Sequence, residues 1–109
     1  MELNLDAVIV THNEAAHRFE ANVDGLRALI TYRRFPDRIV LQHTEVPAPF
    51  EGHGIAAKLT RAALDFARAN GLQVVPLCPY VSSFLRRHRE YDDLLSAGDL
   101  QKIRSAESV

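Results

Sequence analysis

Three stretches of this chain hold residue types whose spacing suits chemistry. The first is Phe50-Glu51-Gly52-His53-Gly54-Ile55-Ala56, where two glycines one residue apart open a periodic segment. Glycine has no Cβ, so the backbone there can take unusual φ/ψ values and let a ligand come close to the main chain. The first amides of a helix have no intrahelical acceptor and sit at the positive end of its dipole. The turn is therefore either a phosphate cradle or a flexible entry to a core helix. The second stretch is Cys78-Pro79. Proline suits the first helical position, which makes Cys78 an N-cap, and a helix N-terminus favours thiolate. Cys78 is then a nucleophile or acid, or else a small apolar residue filling a corner. The third is His43-Thr44-Glu45. Residues two apart on a strand share a face, so His43 and Glu45 are two candidate bases side by side. Their plainer readings are a satisfied core histidine and a solvent-facing carboxylate.

These residues need elements to hold them. His17 to Val23 and Leu26 to Arg34 read as strands joined by an Asp24-Gly25 hairpin turn, with Leu26, Ala28, Ile30 and Tyr32 on one face. Arg38 to Val46 is a third such strand, and a period of two puts Ile39, Leu41, His43 and Glu45 on the same face. Pro47 and Pro49 end it. The spacing predicts a helix from about His53 to Asn70, burying Ile55, Leu59, Ala62, Ala63, Phe66 and Ala67, with Gly71 as its left-handed cap. Leu72 to Leu77 is a short buried strand, followed by a helix from Pro79 to about His88. Toward the N-terminus, Ala7 to Val10 has the composition of a strand, and Thr11-His12-Asn13-Glu14 that of a polar turn. Glu90 to Leu100 fits either a short helix or a strand. Residues 101–109 are polar and expected to be disordered, leaving a single domain over 1–100.

Composition narrows the function. With 47% hydrophobic and 25% charged residues in 109, the chain is expected to fold around one core. Thirteen basic against fourteen acidic residues give a net charge of -1, which offers no general footprint for nucleic acid or anionic lipid. No segment reads as a membrane span. The single cysteine cannot form an intrachain disulfide, and no leader-like stretch opens the chain, so a cytoplasmic or other reducing compartment is expected. The other histidines have no metal-ligand spacing with that cysteine, and no metal is expected.

Strands leading to a Gly-x-Gly helix, then a strand, a helix and a polar end resemble the GNAT-type N-acetyltransferases, and more closely a compact single-domain GNAT-like family. His43-Thr44-Glu45-Val46-Pro47, Glu51-Gly52-His53-Gly54-Ile55-Ala56, Val74 through Tyr80, and His88 through Tyr91 look like that family's successive motifs. The resemblance covers residues 8 to 96. It implies an α/β fold with a mixed, mainly antiparallel sheet, splayed where the fourth and fifth strands part. It also implies acetyl-coenzyme A held by the turn from Phe50 to Ile55, with its pantetheine arm beside Val46 and Val75, and an amine acceptor. His53 and Lys58 are further candidates for phosphate contact, although Lys58 reads better as a solvated helix residue. Two departures bear on catalysis. Pro49 stands where that pattern has glutamine or arginine, and Leu85 falls on the tyrosine often used as general acid, with Cys78 on the usual asparagine. Acetyl transfer needs a neutral amine, so His43 or Glu45 is the expected base and Cys78 the expected acid or nucleophile. The alternative is a coenzyme-binding or protein-interaction module without catalysis.

Overall fold

The structure, a computed structural model, describes residues 4–105. Its strands are β1 (Val10–Asn13), β2 (Arg18–Val23), β3 (Leu26–Arg34), β4 (Arg38–Glu45) and β5 (Gln73–Pro76), and they lie in one sheet in that order. The first four pair antiparallel, and β4 pairs parallel with β5. A parallel neighbour needs a crossover, and α1 (Ile55–Ala69) supplies it. Next come α2 (Pro79–Arg87), a 3-10 stretch over Arg89–Leu94, and α3 (Ala97–Ser105). The mixed, mainly antiparallel α/β architecture is the expected one. At the β2–β3 turn Asp24 and Gly25 both have positive φ, 51° and 79°, as a two-residue hairpin turn requires.

The core lies between one face of the sheet and the helices. Phe19, Ala21, Ala28, Ile30, Tyr32, Ile39, Leu41 and Val74 are all buried on that face. The alternate residues Arg18, Glu20, Arg27, Leu29 and Thr31 point the other way, and none of them is buried, so the second face meets water. Helix α1 buries Ile55, Leu59, Thr60, Ala63, Leu64 and Ala67. The expected stripe omitted Thr60 and Leu64 and included Ala62 and Phe66, which are only partly buried. Thr60 can face the core because its hydroxyl donates to the Ala56 carbonyl at 2.8 Å. Helix α2 packs beside α1, with the Arg61 guanidinium 5.2 Å from the centre of the Phe84 ring.

Both ends differ from expectation. The apolar run Ala7 to Val10 is not a strand: Leu5–Ala7 forms one 3-10 turn, Val8 goes into the core, and β1 starts at Val10. Of the expected polar turn Thr11-His12-Asn13-Glu14, the first three residues belong to β1, because β2 supplies partners for them, and Glu14 does lie in the turn that follows. His12 lies opposite Phe19, stacks on that ring at 4.2 Å, and has Nε2 2.6 Å from the Tyr32 hydroxyl. At the other end residues 101–105 complete α3 instead of fraying. Ile103 is buried, and the Arg104 guanidinium donates to the Arg86 carbonyl at 3.1 Å and to the Asp92 carboxylate at 2.9 Å. The rest of the expected tail, 106–109, lies outside the described residues.

Candidate functional site

Gly52 and Gly54 have φ of 79° and 82°, the left-handed region that glycine enters without strain. Gly54 is the N-cap of α1, and among the described residues no side chain caps the helix. The Lys58 amide donates to the Gly54 carbonyl at 3.1 Å, which leaves the amides of Ile55, Ala56 and Ala57 ahead of the first intrahelical bond. These donors open on a groove of ≈ 430 Å³. Val46, Phe50, Glu51, Gly52, Gly54, Ile55 and Ala56 line it, as do Ala57 and Tyr80, whereas His53 and Cys78 do not. Among the described residues Glu51 is the one charged side chain along it, so an anion here would be held by helix amides instead of by lysine or arginine.

A second feature lies where β4 and β5 separate. The ladder ends at Leu41 opposite Pro76, a residue with no amide hydrogen. Beyond it, the Leu77 and Cys78 amides both donate to the Leu41 carbonyl at 3.1 Å. Two donors on one acceptor turn the chain out of the sheet and into α2. Cys78 is the N-cap of α2, in extended conformation ahead of Pro79. Its side chain is buried at 4% exposure, and its Sγ lies 3.2 Å from Thr44 Oγ1, across the gap on β4.

Thr44 faces Cys78 because of an irregularity in β4. Thr31 pairs with His43, but Tyr32 pairs with Leu41, so Gln42 is one residue more than β3 can match. Such a bulge re-aims every side chain beyond it. Ile39 and Leu41 point into the core, and after the bulge Thr44 does so, opposite buried Ile30. The expectation that His43 and Glu45 share the face of Ile39 and Leu41 is therefore corrected. They share a face with each other, but it is the open one. His43 is 62% exposed, Glu45 is 63% exposed, and Nε2 lies 3.9 Å from Oε1.

Other candidates have different work. Lys58 does not line the groove and is not simply solvated: its ammonium donates to the carbonyls of Leu5, at 2.7 Å, and Val8, tying the N-terminal turn to α1. His88 stacks on Phe84 at 4.0 Å and lies 3.7 Å from Glu90. Leu85, on the position where a tyrosine acid was sought, is wholly buried. Among the described residues no group of three His, Cys, Asp or Glu could hold a metal, and no helix is long and apolar enough to cross a membrane.

Sequence reasoning overlooked Thr44 and Tyr80 as site residues. Tyr80 had a readable signal, since it falls in the first turn of a helix that starts at Pro79. Burial pushes its phenol above the ordinary tyrosine range, while Arg87 and Arg61 pull it back and Cys78 adds to the rise. Thr44 had none, because a strand pattern without the bulge sends it to the other face.

This chain is similar to known proteins in sequence and in fold. The family described as GCN5-related N-acetyl-transferase matches residues 18–94. Protein NATD1 of Bos taurus is 38% identical over 82 residues, 72% of this chain and 73% of that protein. Protein NATD1 of Xenopus tropicalis is 33% identical over 85 residues, 75% of this chain and 78% of that protein. The solution NMR structure of a GCN5-like protein from Staphylococcus aureus superposes with a TM-score of 0.63 at 30% identity, covering 81% of this chain and 87% of that one. With its glycine turn, its parted strands and a family match across most of its length, the chain belongs to the GCN5-related N-acetyltransferase family.

Proposed function

We propose that this protein binds acetyl-coenzyme A and transfers its acetyl group to an amine. The observation that carries the reading is the uncapped start of α1. Its amides and two left-handed glycines open on the groove beside Val46, next to the gap that Thr44 and Cys78 face from either side. The residues present fit the coenzyme: unpaired donors suit a pyrophosphate, and the apolar walls of Val46, Phe50 and Ile55 suit a pantetheine arm. When bound, the coenzyme supplies an activated acetyl carbon.

The chain's own residues would then manage protons. A primary amine arrives as ammonium, and His43 or Glu45, both exposed on the open face, would take its proton. Cys78 would hold a proton on Sγ for a departing thiolate, or use that sulfur as a nucleophile, with Thr44 orienting it. A single free thiol in such a place suits a reducing compartment such as the cytoplasm.

A second reading, coenzyme binding without transfer, draws on one observation: Leu85 is packed in the core, so the position often used for an acid has none. Intact-protein mass after incubation with acetyl-coenzyme A, with and without a panel of amines, separates the two. Transfer predicts acetyl on Cys78 or acetylated amine, each lost in Cys78→Ala with coenzyme affinity retained. Coenzyme binding with neither product would favour the second reading, and no binding at all would overturn both.

A further inference from the structure

A second hollow adjoins the groove. It is an open trough of ≈ 700 Å³ between the ends of β3 and β4, running from Gly25 in the hairpin turn to Glu45. Val46 lines both hollows, so a molecule in the trough and one in the groove would meet at that residue.

Its charges are divided between two ends. Glu45 stands directly across the sheet from Leu29, and among the described residues its one ionic neighbour is His43 at 3.9 Å. No lysine or arginine among the described residues pairs with this carboxylate, which makes this the acidic end. Arg27 lies two residues from Leu29 along β3, roughly 7 Å away on the same face. It reaches Glu20 at 3.6 Å, but the same Glu20 oxygen already accepts from Arg18 at 2.6 Å. Glu20 is therefore divided between two guanidinium groups, and Arg27 holds the longer of the two contacts. Arg27 is 46% exposed, so its donors are open to a ligand. Between the ends the trough offers the apolar side chains of Leu29, Val46 and Pro47.

We propose that this trough is the acceptor site and that it takes a small amine that also carries a carboxylate, the ammonium at Glu45 and the carboxylate at Arg27. Arginine's planar fork suits a carboxylate, which it can grip with two parallel donors. The ammonium at Glu45 then lies beside His43, the group positioned to remove its proton before the nitrogen attacks. This inference rests on the acetyl-transfer reading above and deepens it by giving the acceptor a chemical class.

Nuclear magnetic resonance titration of the protein loaded with coenzyme A tests it. The probes are glycine, β-alanine and γ-aminobutyrate, each against its own carboxamide. The expected result is backbone shift changes centred on Gly25, Leu29 and Val46, with at least one acid binding roughly tenfold more tightly than its amide. Arg27→Gln should erase that preference and Arg27→Lys should keep part of it, with coenzyme A affinity the same in both. Equal binding of acid and amide, or shifts mapping away from the trough, would overturn the assignment. Failure of transfer is a separate outcome. If the acids bind in the trough with the stated preference but no acetylated product forms, the site stands and the transfer reading falls. If amides are acetylated as readily as acids, the reverse holds.

Discussion

The Thr44 hydroxyl and the Cys78 sulfur are 3.2 Å apart across the gap between β4 and the start of α2, although 34 positions separate them in the chain. Neither residue reaches the other by local structure. The bulge at Gln42 turns Thr44 inward, and the shared Leu41 acceptor swings Cys78 out of β5 to face it. A hydroxyl at that distance can donate to a thiolate or accept from a thiol, and in either case it fixes where the sulfur's lone pairs point.

Thr44→Val keeps the shape and removes the hydroxyl. A hydrogen bond of this kind contributes about 1 kcal/mol, so the rate of Cys78 alkylation by a mild reagent should change by roughly fivefold to tenfold. Thr44→Ser should restore it. Equal rates in all three proteins would show that the contact has no influence on the sulfur.

Gly54→Val should weaken coenzyme A binding in a protein that still folds. A β-branched residue at φ of 82° costs on the order of 1–3 kcal/mol. Its Cβ would also meet Leu5 Cδ2 at 3.1 Å, a neighbour that Lys58 holds through the backbone. Gly52→Ala is the milder comparison, since a Cβ there meets nothing within 4 Å. Calorimetry with coenzyme A, alongside circular dichroism, checks the order: Gly54→Val weakest, Gly52→Ala between it and the wild type.

Leu85→Tyr should not create an acid at the site. The side chain is fully buried in α2, so the larger ring overpacks the core at a cost of about 1–3 kcal/mol, and its hydroxyl needs a partner there. The expected result is a lower denaturation midpoint with no gain in transfer. A stable variant with faster transfer would mean that this position does face the thioester.

Stability should fall on the acid side of neutrality through His12. Burial against neighbouring rings holds this imidazole below its ordinary pKa of 6.5, with Glu14 opposing the shift and Arg34 reinforcing it. The folded chain therefore binds the proton less readily than the unfolded one. Its contribution to stability is complete above the unfolded value and is lost as pH falls through the folded value. Urea midpoints at about pH 7.5 and about pH 5.5 should drop for the wild type by more than for His12→Phe, whose ring is neutral throughout. An equal drop in both would remove His12 as the cause.

How much of this was legible depends on how local each signal is. The Asp24-Gly25 turn, the β3 strand, the Gly52 and Gly54 turn with its helix, and the Cys78-Pro79 helix start are all decided by residues a few positions apart. Turn chemistry, strand and helix periodicity and proline's fixed φ act at that range, and the sequence determined these elements by itself. The motifs carried by those elements also determined the family. Which face His43, Thr44 and Glu45 present was decided only by the tertiary structure. One unmatched residue in the pairing of β4 with β3 reverses the alternation, and no composition signal marks it. The same holds for β1, where polar His12 becomes a strand residue because Phe19 and Tyr32 are there to receive it, and for α3, where burial of Ile103 and the bonds of Arg104 order a stretch whose polarity alone suggested a loose end. In each case the deciding partner is distant in sequence, so it exists only once the sheet and helices have come together.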